Sequence, residues 1–154
     1  MSETVNEPVD ESASGPVSDP APGEYGLEPD YIYVCRSGQL PDGYVRRFYP
    51  RGLELCLARN HGTAYAVSNT CTHMACLLSA GKVVEDGIGC SCHGSIFDLD
   101  TGEAIYPPAT KAITTYPLAE VDSKIFVRVT EQDAIEGAAR KRELEEAKRK
   151  AAST

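Results

Sequence analysis

The sequence predicts an all-β domain, an antiparallel sandwich or small barrel, flanked by two segments of different character. Three observations predict it. Between residues 31 and 130, short runs of β-branched and aromatic residues alternate with Gly, Asn, Asp and Pro turn signals, and no 3.6-residue apolar period appears. Residues 1–30 hold five of the ten prolines and eight acids with no Lys or Arg; such a stretch has almost nothing to bury and predicts a disordered acidic tail. Residues 131–154 change again, to charges spaced for a short helix.

The elements follow in order. Residues 31–35 (Tyr-Ile-Tyr-Val-Cys) make a first strand from residue types that fit a pleated, half-buried surface. Residues 53–57 (Leu-Glu-Leu-Cys-Leu) alternate, Asn60-His61-Gly62 supplies a hairpin turn, and residues 64–67 (Ala-Tyr-Ala-Val) return. His61 reads as a solvated turn residue, and Cys35 and Cys56 as inert thiols buried in strand patterns. Further turns are marked by residues 100–102 (Asp-Thr-Gly) and by Asp122-Ser123, and residues 125–129 (Ile-Phe-Val-Arg-Val) close the series. After them Thr130 and Asp133 have the spacing of a capping box. Glu136 with Arg140, Glu145 with Arg149 and Glu146 with Lys150 form i,i+4 pairs in the favourable order. With only Ile135 and Leu144 as large apolar residues, the expected helix is solvated.

Charge excludes several classes of function. The net charge of -8 belongs to the N-terminal segment, because residues 31–130 carry nine acids and nine bases and residues 131–154 six of each. No basic patch points to nucleic acid. The N-terminus has neither the positive start nor the apolar stretch of a signal peptide. No run approaches 18 apolar residues, so no membrane insertion is expected, and the sequence is read as a soluble, cytoplasmic protein.

Two boxes carry the chemistry. Cys71-x-His73 and Cys90-x-x-His93 are separated by 16 residues and fall in loops between the expected strands. They use two of the three histidines in the chain. Two thiolates and two imidazoles can hold a metal at neutral pH. Zinc on these four ligands is one reading, although zinc sites usually pair Cys with Cys and His with His at shorter spacing. One Cys and one His from each loop suit two irons side by side, with both sulfurs on one and both imidazoles on the other.

These boxes, with the Gly94-Ser95 that follows the second, resemble those of the Rieske [2Fe-2S] family over about residues 31–130. The resemblance implies a Rieske-like β fold with a cluster-binding loop subdomain and one [2Fe-2S] cluster. Cys71 and Cys90 are then ligands to the inner iron, and His73 and His93 to the outer. It also implies a disulfide between Cys76 and Cys92, as in the Rieske proteins of quinol-oxidising cytochrome complexes. In those proteins a serine and a tyrosine donate hydrogen bonds that raise the potential; here Ser95 is present and Phe97 stands at the tyrosine position. Met74 and Ala75 replace their Leu-Gly. Residues 107–117 resemble instead the small ferredoxins that feed bacterial aromatic-ring dioxygenases.

The ligand set has a direct electrostatic meaning. Two ferric ions and two sulfides carry +2, so two thiolates and two neutral imidazoles leave the centre at zero, whereas four thiolates would leave it at -2. Adding an electron to a neutral centre is easier, and the potential rises above that of an all-Cys cluster. The boxes contain no nucleophile, general base or open coordination position, and a separate mononuclear iron would need more histidines than His61 supplies. The expected role is electron transfer without catalysis, from a flavin reductase to a terminal oxygenase. The alternative is a Rieske subunit of a respiratory or other multi-subunit oxidoreductase complex. Electrons should leave through the tip formed by His73, Met74, His93 and Gly94.

Overall fold

The computed structural model describes residues 19–85 and 87–152, and among these it contains eleven strands and one α-helix. Strands β1 (Tyr31–Arg36), β10 (Leu118–Val121) and β11 (Lys124–Arg128) form one antiparallel sheet in the order β1-β11-β10. A second sheet runs β2-β3-β4-β9, from β2 (Val45–Phe48), β3 (Leu55–Asn60), β4 (Thr63–Ser68) and β9 (Thr115–Tyr116). The third is made from β5 (Lys82–Val84), β6 (Gly87–Gly89), β7 (Ile96–Asp98) and β8 (Ala104–Tyr106), in sequence order. All pairings within the three sheets are antiparallel. The expected all-β architecture is what the chain adopts.

The predicted turns set the registers. His61 (φ 53°) and Gly62 (φ 81°) join β3 to β4, and Asp122 (φ 55°) and Ser123 (φ 62°) join β10 to β11. Two consecutive left-handed residues give a turn whose twist matches that of the flanking strands. The β3 strand begins at Leu55 instead of Leu53, because Arg51 (φ 53°) and Gly52 (φ 77°) turn the chain just before it.

Strand β3 is buried on both faces, which period-2 alternation makes possible. Leu55 and Leu57 point into a base core with Leu40, Ile125, Val127 and Val129. Cys56 and Ala58 point the other way, into a second core with Val67, Leu78, Ile88, Phe97 and Leu99. Both expected inert thiols are deeply buried; burial pushes Cys35 up to about 11 and Cys56 up to about 12. The second core roofs one sheet and floors the other.

The four strands of the third sheet are each three residues long, too short to show an alternation in sequence. They are inserted between β4 and β9 and carry the second Cys/His box in the β6–β7 connection. Gly87 is required where β6 meets β7, since a Cβ there would collide with the Phe97 carbonyl.

The flanks depart from their expected character. Residues 1–18, the larger part of the expected tail, lie outside the described residues. Residues 19–30 are structured: Pro22–Tyr25 form a 3₁₀ turn ended by Gly26 at φ 75°. The Tyr25 ring lies 5.5 Å from that of Phe126. Glu28 and Asp30 pair with Arg128 (3.4 Å) and Arg51 (3.2 Å). An aromatic contact and two ion pairs thus attach a stretch that composition marks as unstructured.

Helix α1 (Glu131–Ala152) begins with the expected capping box, in which Asp133 N–H donates to Thr130 Oγ1 and Thr130 N–H to Asp133 Oδ2, both at 3.0 Å. No residue of the helix is fully buried, as expected of a solvated helix, but one side of its first turns is docked on the domain. Ala134 packs on the base core, Gly137 lies against Leu53, and Lys141 Nζ reaches Glu54 Oε1 at 2.8 Å. The contact stripe consists of small residues plus one lysine stem, so a search for large apolar residues misses it. No described helix is long and apolar enough to cross a membrane.

Candidate metal centre

The two boxes fold into two copies of one backbone frame. In the first, Cys71 N–H donates to Cys76 C=O (2.8 Å) and Ala75 N–H to Cys71 C=O (2.9 Å). In the second, Cys90 N–H donates to Ser95 C=O (2.7 Å) and Gly94 N–H to Cys90 C=O (3.1 Å). Each frame spans six residues, and the fifth is left-handed in both: Ala75 at φ 57° and Gly94 at φ 81°. Glycine adopts that conformation freely, whereas alanine does so at a cost of order 1 kcal/mol. In the first loop, then, an alanine holds a position that the frame itself prefers as glycine.

The frames bring their first residues together and leave the imidazoles outside. Cys71 and Cys90 are 2% and 4% exposed and both belong to the second core. Burial pushes the Cys71 thiol up, and so does the Cys90 sulfur beside it; the backbone N–H groups of His73 and Met74, aimed at the Cys71 sulfur, pull it down. His73 and His93 are exposed, with ring centroids 5.1 Å apart and ring planes at 86°. Thiols within and imidazoles without form the segregated donor set that a two-iron centre with unlike ends requires. The residues fit the group.

Cys76 and Cys92 are joined in a disulfide linking the two loops. Closing a ring across 16 residues of separation stabilises by about 3 kcal/mol in the chain-entropy model. The sulfurs of Cys76, Cys90 and Cys92 lie within 4.8 Å of one another. Two of the three are bonded to each other, so this trio is not a thiolate set while the bond stands.

A third loop, which sequence reasoning did not assign to the site, ties the two frames. Ala109 N–H donates to Ser95 Oγ at 3.0 Å, and Thr72 Oγ1 donates to Lys111 C=O at 2.7 Å. The loop opens with the Pro107-Pro108 pair, whose peptide bond is cis, and its signal in the sequence was the resemblance of residues 107–117 to the dioxygenase ferredoxins. Ser95 is fully buried and keeps its own hydroxyl proton available for donation. Phe97, also fully buried, lies in the second core with Cys71 and Cys90. Met74 is half-buried and Gly94 exposed. Exposed Ile105 (46%) and Tyr106 (55%) flank the second loop, since Tyr106 pairs with Ile96 in β7; nothing in their sequence setting marks them.

Under the first loop, Asn69 Oδ1 accepts from Ser79 N–H at 2.6 Å and Asn69 C=O from Leu78 N–H at 2.9 Å. The Asn69 side chain also lies beside the buried Glu54 carboxylate. Burial acts to raise the Glu54 carboxyl, but Lys141, Asn69 and Arg47 outweigh it and hold it below the usual carboxylate range. Helix α1 thereby reaches Glu54 through Lys141, on the side of the domain where Asn69 supports the first box.

Comparison with known proteins gives one consistent answer. The Rieske [2Fe-2S] domain family matches residues 30–117. The chain is 32% identical over 104 residues to a 3-phenylpropionate/cinnamic acid dioxygenase ferredoxin subunit of Photorhabdus laumondii, covering 66% of this chain and 96% of that one. It is 34% identical over 100 residues to the ferredoxin component of the naphthalene 1,2-dioxygenase/salicylate 5-hydroxylase systems of a Ralstonia species, covering 65% and 96%. Among solved structures, it resembles a chain in the complex of reduced oxygenase and oxidized ferredoxin in carbazole 1,9a-dioxygenase, with a TM-score of 0.60, 27% identity and coverage of 64% and 92%.

Proposed function

Because the chain belongs to the Rieske [2Fe-2S] domain family, we propose that it is a one-electron carrier taking electrons from a flavin reductase and handing them to a terminal ring-hydroxylating oxygenase in the cytoplasm. One observation carries the reading: the buried cysteine pair and the exposed imidazole pair are segregated within a single site. The group they hold supplies a single-electron couple when bound. Cys71 and Cys90 would hold its buried end and keep water from it. His73 and His93 would hold its exposed end with their rings at the surface, where a partner can approach them. Both nitrogens of such a ring are engaged differently, one at the metal and one toward solvent, so a proton can be held at the outer nitrogen. Ser95 keeps its hydroxyl proton for an acceptor at the cluster end of the second loop.

The docking surface is the tip, with Met74 among the imidazoles and Ile105 and Tyr106 at its flank. Contacts between electron-transfer partners are small and short-lived, and a few exposed apolar side chains suffice. Purified protein should be red-brown, with two irons and two sulfides per chain, and Met74→Glu should slow electron delivery to an oxygenase about tenfold while visible spectrum and midpoint potential stay put. A colourless chain as isolated, or a tip variant with normal delivery beside a crippled deletion of residues 145–154, overturns the reading.

A further inference from the structure

We propose that the tip is a cationic docking face, with Lys82 and Lys111 at its rim, which receives redox partners whose electron-entry surface is bordered by carboxylates. This deepens the carrier reading and rests on it. The segments that build the tip, residues 69–84, 87–97 and 104–119, contain no Asp or Glu, and Lys82 and Lys111 are their only Lys or Arg. Both lysines are exposed. Thr72, which stands between Cys71 and His73, donates its hydroxyl to the Lys111 carbonyl at 2.7 Å. Lys82 pairs with Gly89, the residue before Cys90. One lysine is thus carried beside each box.

The acids of the domain gather elsewhere. The turn at His61 is the end of β4 away from the first box, and there Gly62 N–H donates to Asp42 Oδ1, Arg59 pairs with Glu120, and Asn60 Nδ2 donates to the Glu85 carbonyl. In the third sheet Gly89 faces Ile96 next to the Cys90 box, whereas Gly87 faces Asp98. The β7–β8 turn, with Asp98, Asp100 and Glu103, therefore leaves from the opposite end of that sheet. Arg47, Arg51, Arg59 and Arg128 are each committed to a carboxylate, but neither Lys82 nor Lys111 pairs with one among the described residues. On the flank toward α1, Glu145 shares its groove with Arg140, Lys141 and Arg142, so that side brings no net negative charge. Two uncommitted cations around an apolar, acid-free centre attract an anionic surface before contact, which raises the encounter rate more than the affinity.

Stopped-flow oxidation of the dithionite-reduced full chain by two small probes tests this. Each reduced chain gives one electron to one ferricyanide, a trianion that becomes ferrocyanide, or to one tris(phenanthroline)cobalt(III), a trication that becomes its cobalt(II) form. The whole chain carries -8 and by that charge repels ferricyanide, whereas the tip attracts it. At about 0.1 M salt, charges more than about 10 Å away are largely screened, so the local field decides. There, Lys82→Gln combined with Lys111→Gln should slow ferricyanide about fivefold and speed the cobalt probe about fivefold, and both differences should vanish at about 1 M salt. Arg36→Gln combined with Lys124→Gln removes the same charge at the β10–β11 turn and should leave both rates unchanged. Hexaglutamate should slow ferricyanide on the wild type and not on the tip variant. Unchanged rates in the tip variant, an equal effect in the control variant, or indifference to hexaglutamate overturns the proposal. A chain that forms no cluster fails the carrier reading; a reducible chain without this preference for anions fails the docking proposal alone.

Discussion

Replacing Ser95 by alanine removes one oxygen atom, and the consequence can be worked out from its surroundings. Ser95 is fully buried, and its Oγ accepts the N–H of Ala109, itself 5% exposed, at 3.0 Å. Without the oxygen, that N–H has no partner and no water. An unsatisfied buried donor costs about 1–3 kcal/mol, against about 1 kcal/mol for an exposed hydrogen bond that water replaces. Taking about 2 kcal/mol and about 4 °C per kcal/mol for a domain of this size, the thermal midpoint should fall by about 8 °C. Thr72→Val is the matched control: it breaks the other tether of the same loop, the 2.7 Å bond to Lys111 C=O, where solvent can take over. Its midpoint should fall by about 4 °C or less. Thermal unfolding of both variants with cluster bound, followed by circular dichroism, makes the comparison. If Ser95→Ala costs no more than Thr72→Val, burial of the Ala109 N–H is not what gives this tether its value, and the reasoning fails.

Other outcomes follow from single features. Phe97→Tyr should raise the midpoint potential in protein-film voltammetry, since a hydroxyl in the core shared with Cys71 and Cys90, the cysteines proposed as ligands, would donate to the reduced, more negative centre; an unchanged value would mean that the ring edge faces away. Glu54 is held below its ordinary range, so its contribution to stability is fully present above about pH 4.3, the unfolded value, and is lost as the pH falls through the lower folded value. Urea midpoints of wild type and Glu54→Gln should therefore differ at pH 7 and converge as the pH falls through the lowered folded value; parallel curves would remove Glu54 from the account. Cys35 and Cys56, pushed up to about 11 and about 12, should resist iodoacetamide at pH 8 in the folded protein, as mass spectrometry would register; rapid labelling of either would show that its strand opens.

The site was more legible in the sequence than the scaffold beneath it. Metal chemistry leaves little choice of residue, so Cys71, His73, Cys90 and His93 stand out by type and order alone, and the resemblance they carry brought Cys76 and Cys92 with them. The hairpin at His61-Gly62 was readable because two left-handed positions in succession restrict the residues allowed. Strands β5 to β8 were not, for three residues cannot display a period of two convincingly. The docking of α1 was hidden for another reason. Its contact surface is Ala134, Gly137 and the stem of Lys141, and small residues become informative only when their neighbour, Leu53, is known. Ser95 was legible as a residue of the site but not in its tethering of the third loop. That role depends on a main-chain N–H fourteen residues away, and a backbone group has no letter in the sequence.

Because each box is closed by main-chain groups alone, the orientation of the ligands and the identity of the surface around them are separate variables. The bonds that close the frames involve the peptide groups of Cys71, Ala75 and Cys76, and of Cys90, Gly94 and Ser95. The side chains of Met74 and Ser91 take no part in them. Such side chains, half-buried Met74 and exposed Ser91, can be rewritten at little cost to the frames themselves, and a protein engineer could retarget the carrier to a different acceptor by varying the tip while leaving its potential as a fixed background. Recognition and redox tuning, so often entangled where ligands are held by side-chain networks, are here addressable one at a time.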